Sequence, residues 1–317
     1  MVRALDIFCG GGGSSYGAQL AGVEVVAGID RWDLAMEVFS RNFPSAQTYN
    51  RLLETIRFKK LTNEIGKIDL LLASPECTNH TCAKGSAPRS EASRATALQV
   101  LRFARSLRPR WIVMENVIHM RPWSRYEELK ESLSAIGYNV REQILDSSDF
   151  GVPQSRRRLF VMCDIERQPP EVRKPRRKTR TEAVTILDPD GLWPTTPLYR
   201  KGRAPDTIAR AERAIASLGR AEKFLIVYYG TDGSGGWQPL TRPLRTVTTV
   251  DRFALVVPHK NGPTMRMLQV SELRRAMGFD DNYKLEIGTR RERIHVLGNG
   301  VCPPVMKAVV HSLTSDG

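Results

Sequence analysis

Residues 4–22, ALDIFCGGGGSSYGAQLAG, decide how this chain is read. Ala4-Leu5-Asp6-Ile7-Phe8 is a short β-prone run, and beyond Cys9 the chain enters the glycines Gly10 to Gly13. A helix is expected over residues 16–21. A strand that ends in glycine and opens into a helix lets the backbone approach a ligand closely, with the helix N–H groups facing it. Residues 23–29 read as a second buried strand ending at Asp30. An acidic side chain there is placed to accept hydrogen bonds from a ribose diol. The spacing matches neither G-x-G-x-x-G nor G-x-x-x-x-G-K-[ST], so the glycines alone need mean no more than a tight turn. Asp30 tilts the reading towards an adenosine-type cofactor.

The pattern continues outward from this unit. Residues 34–41 look helical, and 67–73 (KIDLLLA) are a strand stopped by Ser74-Pro75. Residues 95–107 place Leu98, Leu101, Phe103, Ala104 and Leu107 close to one helical face. Residues 111–114 (WIVM) are a strand ending at Glu115-Asn116, 126–136 a helix, and 158–163 a strand. Strands and helices alternating at this spacing predict an α/β fold, a mostly parallel sheet covered on both faces. Beyond Cys163 the composition changes. Residues 166–180 (ERQPPEVRKPRRKTR) suit either a solvated linker or a DNA-contacting segment. Glycine and proline are richer up to about residue 265, with β-like pieces at 224–229, 244–249 and 253–257, which predicts a small, irregular second domain. A helical piece at 270–277 and an apolar stretch at 305–313 follow.

At 317 residues the chain has room for one large domain or two modest ones. Lys plus Arg number 48 against 34 Asp plus Glu, a formal charge of +14. That excess suggests a polyanionic partner, most simply nucleic acid. No apolar run approaches the roughly 20 residues of a membrane helix. The N-terminal apolar stretch runs into glycines rather than a cleavage site, unlike a signal peptide. The five cysteines are odd in number and lack disulfide spacing, which fits a reducing cytoplasm.

The residues with chemistry gather at strand ends. Cys77 lies in SPECTNHTC, residues 74–82, just past the 67–73 strand. It reads three ways. It is a small buried filler; a zinc ligand with His80 and Cys82, though no fourth ligand stands at usual spacing; or a nucleophile, which needs partners. Glu115 ends the next strand, where a partly dry cleft would raise its pKa and let it donate a proton. Gln154, Arg156 and Arg158 alternate along an extended segment and so share a face. One arginine there is suited to holding Glu115 and a polar substrate edge, others to phosphate.

Together these pieces resemble the cytosine-5 DNA methyltransferase family of bacteria and phages, in the family's own order. DIFCGGGG with SSYGAQLAG resembles its cofactor motif, SPEC its Pro-Cys nucleophile loop, Glu115-Asn116-Val117 its ENV motif and Gln154-x-Arg156-x-Arg158 its QxRxR motif. LQVSELRRAMGF (268–279) and GNGVCPPV (298–305) are similar to its ninth and last motifs. Any one of these is weak, whereas the full set in order is highly specific.

The resemblance implies a Rossmann-like sheet binding S-adenosyl-L-methionine, formed by residues 1–165 and 293–317. Residues 166–292 would form the target-recognition domain and hinge, with duplex DNA in the basic cleft between. Cys77 would add to C6 of a flipped-out cytosine. Glu115 would stabilise charge near N3, and Arg158 would hold the O2 edge and Glu115, with Arg156 beside it. Asp6, Phe8, Gly10, Gly12, Asp30, Asn50 and Asn299 would serve the cofactor, with Trp32 a weaker candidate for the adenine. Asn116 and Gln154 would face the substrate.

Three positions depart from the family pattern. Glu76 and Thr78 flank Cys77 where the family usually has proline and glutamine, and Asn50 replaces a frequent aspartate. A monomer in the cytoplasm of a bacterial or phage-infected cell is expected, and the resemblance leaves room for a cognate restriction endonuclease. A cytosine-5 RNA methyltransferase and a DNA-binding homologue with an impaired site are the competing readings.

Target choice is expected within residues 188–245, most sharply in YYGTDGSGGW at 228–237. Its glycines admit base edges, and Asp232 and Gln238 offer polar groups to the major groove. A plain surface loop is the competing reading. Arg173, Arg176 and Arg177 would hold phosphates.

Overall fold

A computed structural model of the chain describes residues 1–76, 96–176, 179–229 and 235–315. The first half builds β1 (Arg3–Ile7), α1 (Gly13–Leu20), β2 (Glu24–Asp30), α2 (Asp33–Asn42), β3 (Gln47–Asn50), α3 (Phe58–Ile65) and β4 (Leu70–Ala73). It continues with α4 (Gln99–Leu107), β5 (Trp111–Asn116), α5 (Tyr126–Ala135), β6 (Asn139–Asp146) and β7 (Arg157–Asp164). The strands form one sheet in the order β3-β2-β1-β4-β5-β7-β6. Only β7 runs against its neighbours, pairing antiparallel with both β5 and β6.

Alternation along the strands divides the core. Ala4, Leu70, Leu72, Val113, Phe160 and Met162 face one hydrophobic cluster. Leu5, Ile7, Leu71, Ala73, Ile112, Met114, Leu159 and Val161 face the other. A sheet covered on both faces needs apolar residues at successive positions, which is why these strands read as continuous apolar runs. The order turns back at β1, whose neighbours are β2 and β4, so a crevice opens outside the carboxyl ends of these strands. The glycine loop after β1 and the segment leading to Cys77 after β4 both lie there.

The elements not anticipated carry weak apolar signals. β3 and β6 lie at the sheet's edges and are mostly exposed or half-buried. Residues 166–180 are not a free linker where they pass β6. Gln143 exchanges two hydrogen bonds with the Val172 backbone, at 3.0 Å each, and Arg141 donates to Pro169 O at 2.6 Å. Side chains thus cover an otherwise open strand edge. Arg173 and Arg176 remain exposed.

The second domain is more regular than expected. β8 (Thr196–Pro197), α6 (Pro205–Leu218), β9 (Phe224–Val227), β10 (Trp237–Pro239), β11 (Phe253–Val257) and β12 (Thr264–Met267) make an antiparallel sheet, ordered β10-β9-β11-β12-β8, with α6 against it. α6 buries Thr207, Ala211 and Ala214, and Ile215 and Leu218 pack on the same cluster as the sheet. Residues 244–249 were expected to be β-like but belong to no strand of this sheet. Leu244 makes a lone bridge to Gln154, and the segment docks on the first domain.

Helices α7 (Val270–Ala276), α8 (Arg290–Asn299) and α9 (Pro303–Thr314) close the chain. α9 packs on α1. Here Gly17 permits the approach, since a Cβ on it would lie 2.6 Å from Pro303 O. The return to the first domain begins before residue 293, because Phe279 and Tyr283 already pack against Tyr16 of α1. The Tyr283 hydroxyl donates to Gly11 O at 2.6 Å. Among the described residues no helix is long and apolar enough to cross a membrane.

Candidate active site

A cavity of about 680 Å³ opens at the crevice, within the usual range for a small-molecule site. Phe8, Gly10, Asp30, Glu115, Arg158 and Asn299 all line it. They come from the ends of β1, β2, β5 and α8 and from the start of β7, so a parallel sheet and one returning helix gather them from distant sequence. Phe8 turns the chain out of β1 with φ +55°, a strained value for a residue with a Cβ. At Gly10 an added Cβ would meet no atom within 4 Å, so this glycine borders open cavity, and its φ of +51° disfavours a side chain.

Asp30 organises this end. Its two carboxylate oxygens accept the Gly10 N–H at 2.9 Å and the Trp32 N–H at 3.0 Å. Burial pushes its pKa up, and these backbone donors partly offset that. Trp32 packs against His295, ring centroids 4.9 Å apart, and both line the cavity. An aromatic wall beside an acceptor carboxylate suits an adenosine moiety, so these residues fit S-adenosylmethionine.

Beneath the glycine loop, Asp6 is wholly buried and does not line the cavity. It accepts a hydrogen bond from the Ser15 hydroxyl at 2.7 Å, and its other oxygen is buried without a hydrogen-bond partner. Burial raises its pKa to about 7. At the other end, buried Glu115 meets Arg158, Nε to Oε1 at 3.2 Å. Burial raises the Glu115 pKa, while Arg158 and then Arg156 pull it back. A carboxyl held above its ordinary value beside a guanidinium can share or donate a proton to a polar base edge.

The family model of C-5 cytosine-specific DNA methylases matches residues 2–315. This chain belongs to that family. M.HindV, a type II methyltransferase of Haemophilus influenzae, is 33% identical over 166 residues, 51% of this chain and 52% of that protein. M1.HphI, a type II methyltransferase of Haemophilus parahaemolyticus, is 24% identical over 331 residues, 98% of this chain and 86% of that protein. The match therefore spans about half the length of M.HindV, and more of M1.HphI. A DNA modification methyltransferase encoded within an E. coli prophage has a similar fold, with TM-score 0.71 and 16% identity, covering 99% of this chain and 98% of that one. A mutant of Spodoptera frugiperda DNMT2 gives TM-score 0.72 at 17% identity, covering 99% and 100%. At these identities the likeness is one of fold.

Several residues expected to face ligand in this chain are instead spent inside the fold. Arg156 lines the cavity, yet its guanidinium donates to Val247 O at 2.9 Å, Gly298 O at 2.7 Å and Gly300 O at 3.0 Å. The last two carbonyls flank Asn299, so Arg156 braces that residue. Gln154 is fully buried; its amide donates to Ala276 O at 3.0 Å and accepts from Val247 N–H at 2.7 Å. Asn116 is buried and donates to Pro75 O at 3.1 Å, pinning the segment that leads to Cys77.

Gln238 donates to Pro243 O at 3.2 Å and accepts from Arg245 N–H at 3.0 Å, which ties a turn rather than reading DNA. Asn50 is exposed, pairs with Asp33 and lies outside the cavity lining, where Arg51 and Leu52 stand instead. Gly12 also lies outside it, facing Phe43. Cys77, Asp232 and Arg177, and the ligands His80 and Cys82 of the zinc reading, lie outside the described residues. Among the described residues no cluster could hold a metal. His295 was missed, although it stands one helical turn before Asn299 and a helical reading of 290–299 puts both on one face.

Proposed function

We propose that this chain methylates C5 of cytosine in DNA, using S-adenosyl-L-methionine. The observation that carries the reading is the pairing of buried Glu115 with half-buried Arg158, which shares one cavity with Asp30 and the glycine loop. Phe8, Gly10, Asp30, Trp32, His295 and Asn299 would hold the cofactor, which supplies an electrophilic methyl group when bound. Cys77, as thiolate, would add through its sulfur to C6 of the cytosine, making C5 nucleophilic. Glu115 would donate a proton towards N3, and Arg158 would hold Glu115 and the O2 edge. After transfer, loss of the C5 proton returns electrons to the ring and expels the Cys77 sulfur. None of these atoms is accessible in a duplex, so the base must be flipped out.

Residues 166–292 would supply target recognition, and exposed Arg173 and Arg176 would supply phosphate contacts. The test is methylation sequencing of DNA from cells expressing the protein, with tritium transfer to duplex DNA and to tRNA compared in vitro. Methylated cytosine in one sequence context, with DNA the better acceptor, is the expected result. Label in tRNA alone would instead favour an RNA substrate.

A further inference from the structure

Glu76 stands where the family usually has proline, directly before the nucleophile. Its carboxylate accepts a hydrogen bond from the Arg31 guanidinium, and both residues line the cavity. Each partner extends from an anchored backbone. Arg31 lies between Asp30 and Trp32, and the Asp30 carboxylate holds the backbone N–H groups of both Gly10 and Trp32. Glu76 follows Pro75, whose carbonyl is held by Asn116 from β5. Because β1 separates β2 from β4, the pair reaches across the end of β1, a span of about 10 Å between the outer strands. It therefore joins the rim that would hold adenosine to the rim that carries the nucleophile.

Proline would stiffen this position through its ring and bring no charge. Glutamate brings a charge and a freer backbone, and Arg31 answers both by neutralising the carboxylate and tethering it. We propose that Arg31 and Glu76 act as one positioning contact, coupling the cofactor rim of the cleft to the entrance of the nucleophile loop. The proposal rests on the cofactor reading above.

The test is a double-mutant cycle on the full chain. Arg31→Gln, Glu76→Gln and the double variant are compared with wild type for S-adenosylhomocysteine binding by calorimetry and for single-turnover methyl transfer to duplex DNA. Each single substitution should weaken binding and slow transfer about two- to fivefold, the scale of a partly exposed ion pair. The double variant should do no worse than either single, and high salt should bring wild type towards the variants. Additive losses, no losses, or a loss confined to Arg31→Gln would overturn the proposal. The last outcome would mean that Arg31 touches the cofactor alone. A wild-type protein that fails to bind S-adenosylhomocysteine would overturn the functional reading along with it.

Discussion

Two buried carboxylates set the two domains apart. Glu272, in α7 beside the antiparallel sheet, receives both terminal Arg266 guanidinium nitrogens at 2.6 and 2.7 Å, the Asp188 N–H at 2.9 Å and the Gln269 N–H at 2.6 Å. Glu115, at the rim of the parallel sheet, has one guanidinium contact at 3.2 Å and faces a cavity. Both carboxylates are buried, yet only the first has its oxygens amply supplied with donors. A fully satisfied buried charge holds a structure together, whereas one left short of partners keeps hydrogen-bonding capacity for a ligand.

The sharpest test of the rim is Cys77→Ala. It should abolish methyl transfer while S-adenosylhomocysteine still binds in calorimetry, since the thiol is needed only for the covalent step. Full activity in this variant would remove the mechanism from the rim.

The two carboxylates can then be set against each other. Glu115→Gln should slow single-turnover transfer by about two orders of magnitude or more, with little loss in a urea melt. Glu272→Gln should do the reverse, costing about 3–5 kcal/mol of stability while folded molecules keep their rate. If both variants lost stability alone, the contrast would fail.

Asp6 belongs to the same unsatisfied class, and pH reads it out. Its pKa is higher folded, at about 7, than its ordinary value of 3.8, so the native state binds the extra proton between those values. Stability is then present below the ordinary value and falls as pH rises towards 7, by an amount on the order of 4 kcal/mol. Asp6→Asn should flatten that slope in urea melts collected from pH 4 to pH 7.5.

Arg156 and Arg158 sharpen the comparison within one motif. Arg156→Lys loses the guanidinium whose Nη2 holds Gly298 O and Gly300 O about Asn299 while Nη1 holds Val247 O, so cofactor affinity should fall about tenfold. The transfer rate at saturating cofactor should change far less. An unchanged KM with a lowered kcat would return Arg156 to direct chemistry. The smallest effects belong to the second domain. Gln238→Ala should lower the melting temperature by a few degrees and leave the methylated context unchanged, whereas Asp232→Ala should relax that context in methylation maps.

The rim was legible because each of its members follows a strand that can be recognised locally. Asp30, Glu115 and the glycine loop stand directly after apolar runs, and a parallel sheet places all such ends on one edge. The fates of Gln154, Arg156, Asn116 and Gln238 were not legible. Their residue types suit a ligand as well as a backbone carbonyl, and the carbonyls that claim them come from segments remote in sequence. Gln154 and Val247 are 93 positions apart, and Arg156 and Gly298 are 142 apart. The second sheet reads as irregular in sequence because its strands are only two to five residues long.

Sequence by itself determined the strand–helix alternation, the crevice and the family, since each rests on periodicity or on motif order along the chain. Tertiary structure alone decided which polar groups stay available. It turned Arg156 into a brace for Asn299, Asn116 into a pin for Pro75, and Glu76 into the partner of Arg31. The physical reason is that burial obliges each polar group to find a partner, and which partner lies in reach depends on how distant segments pack.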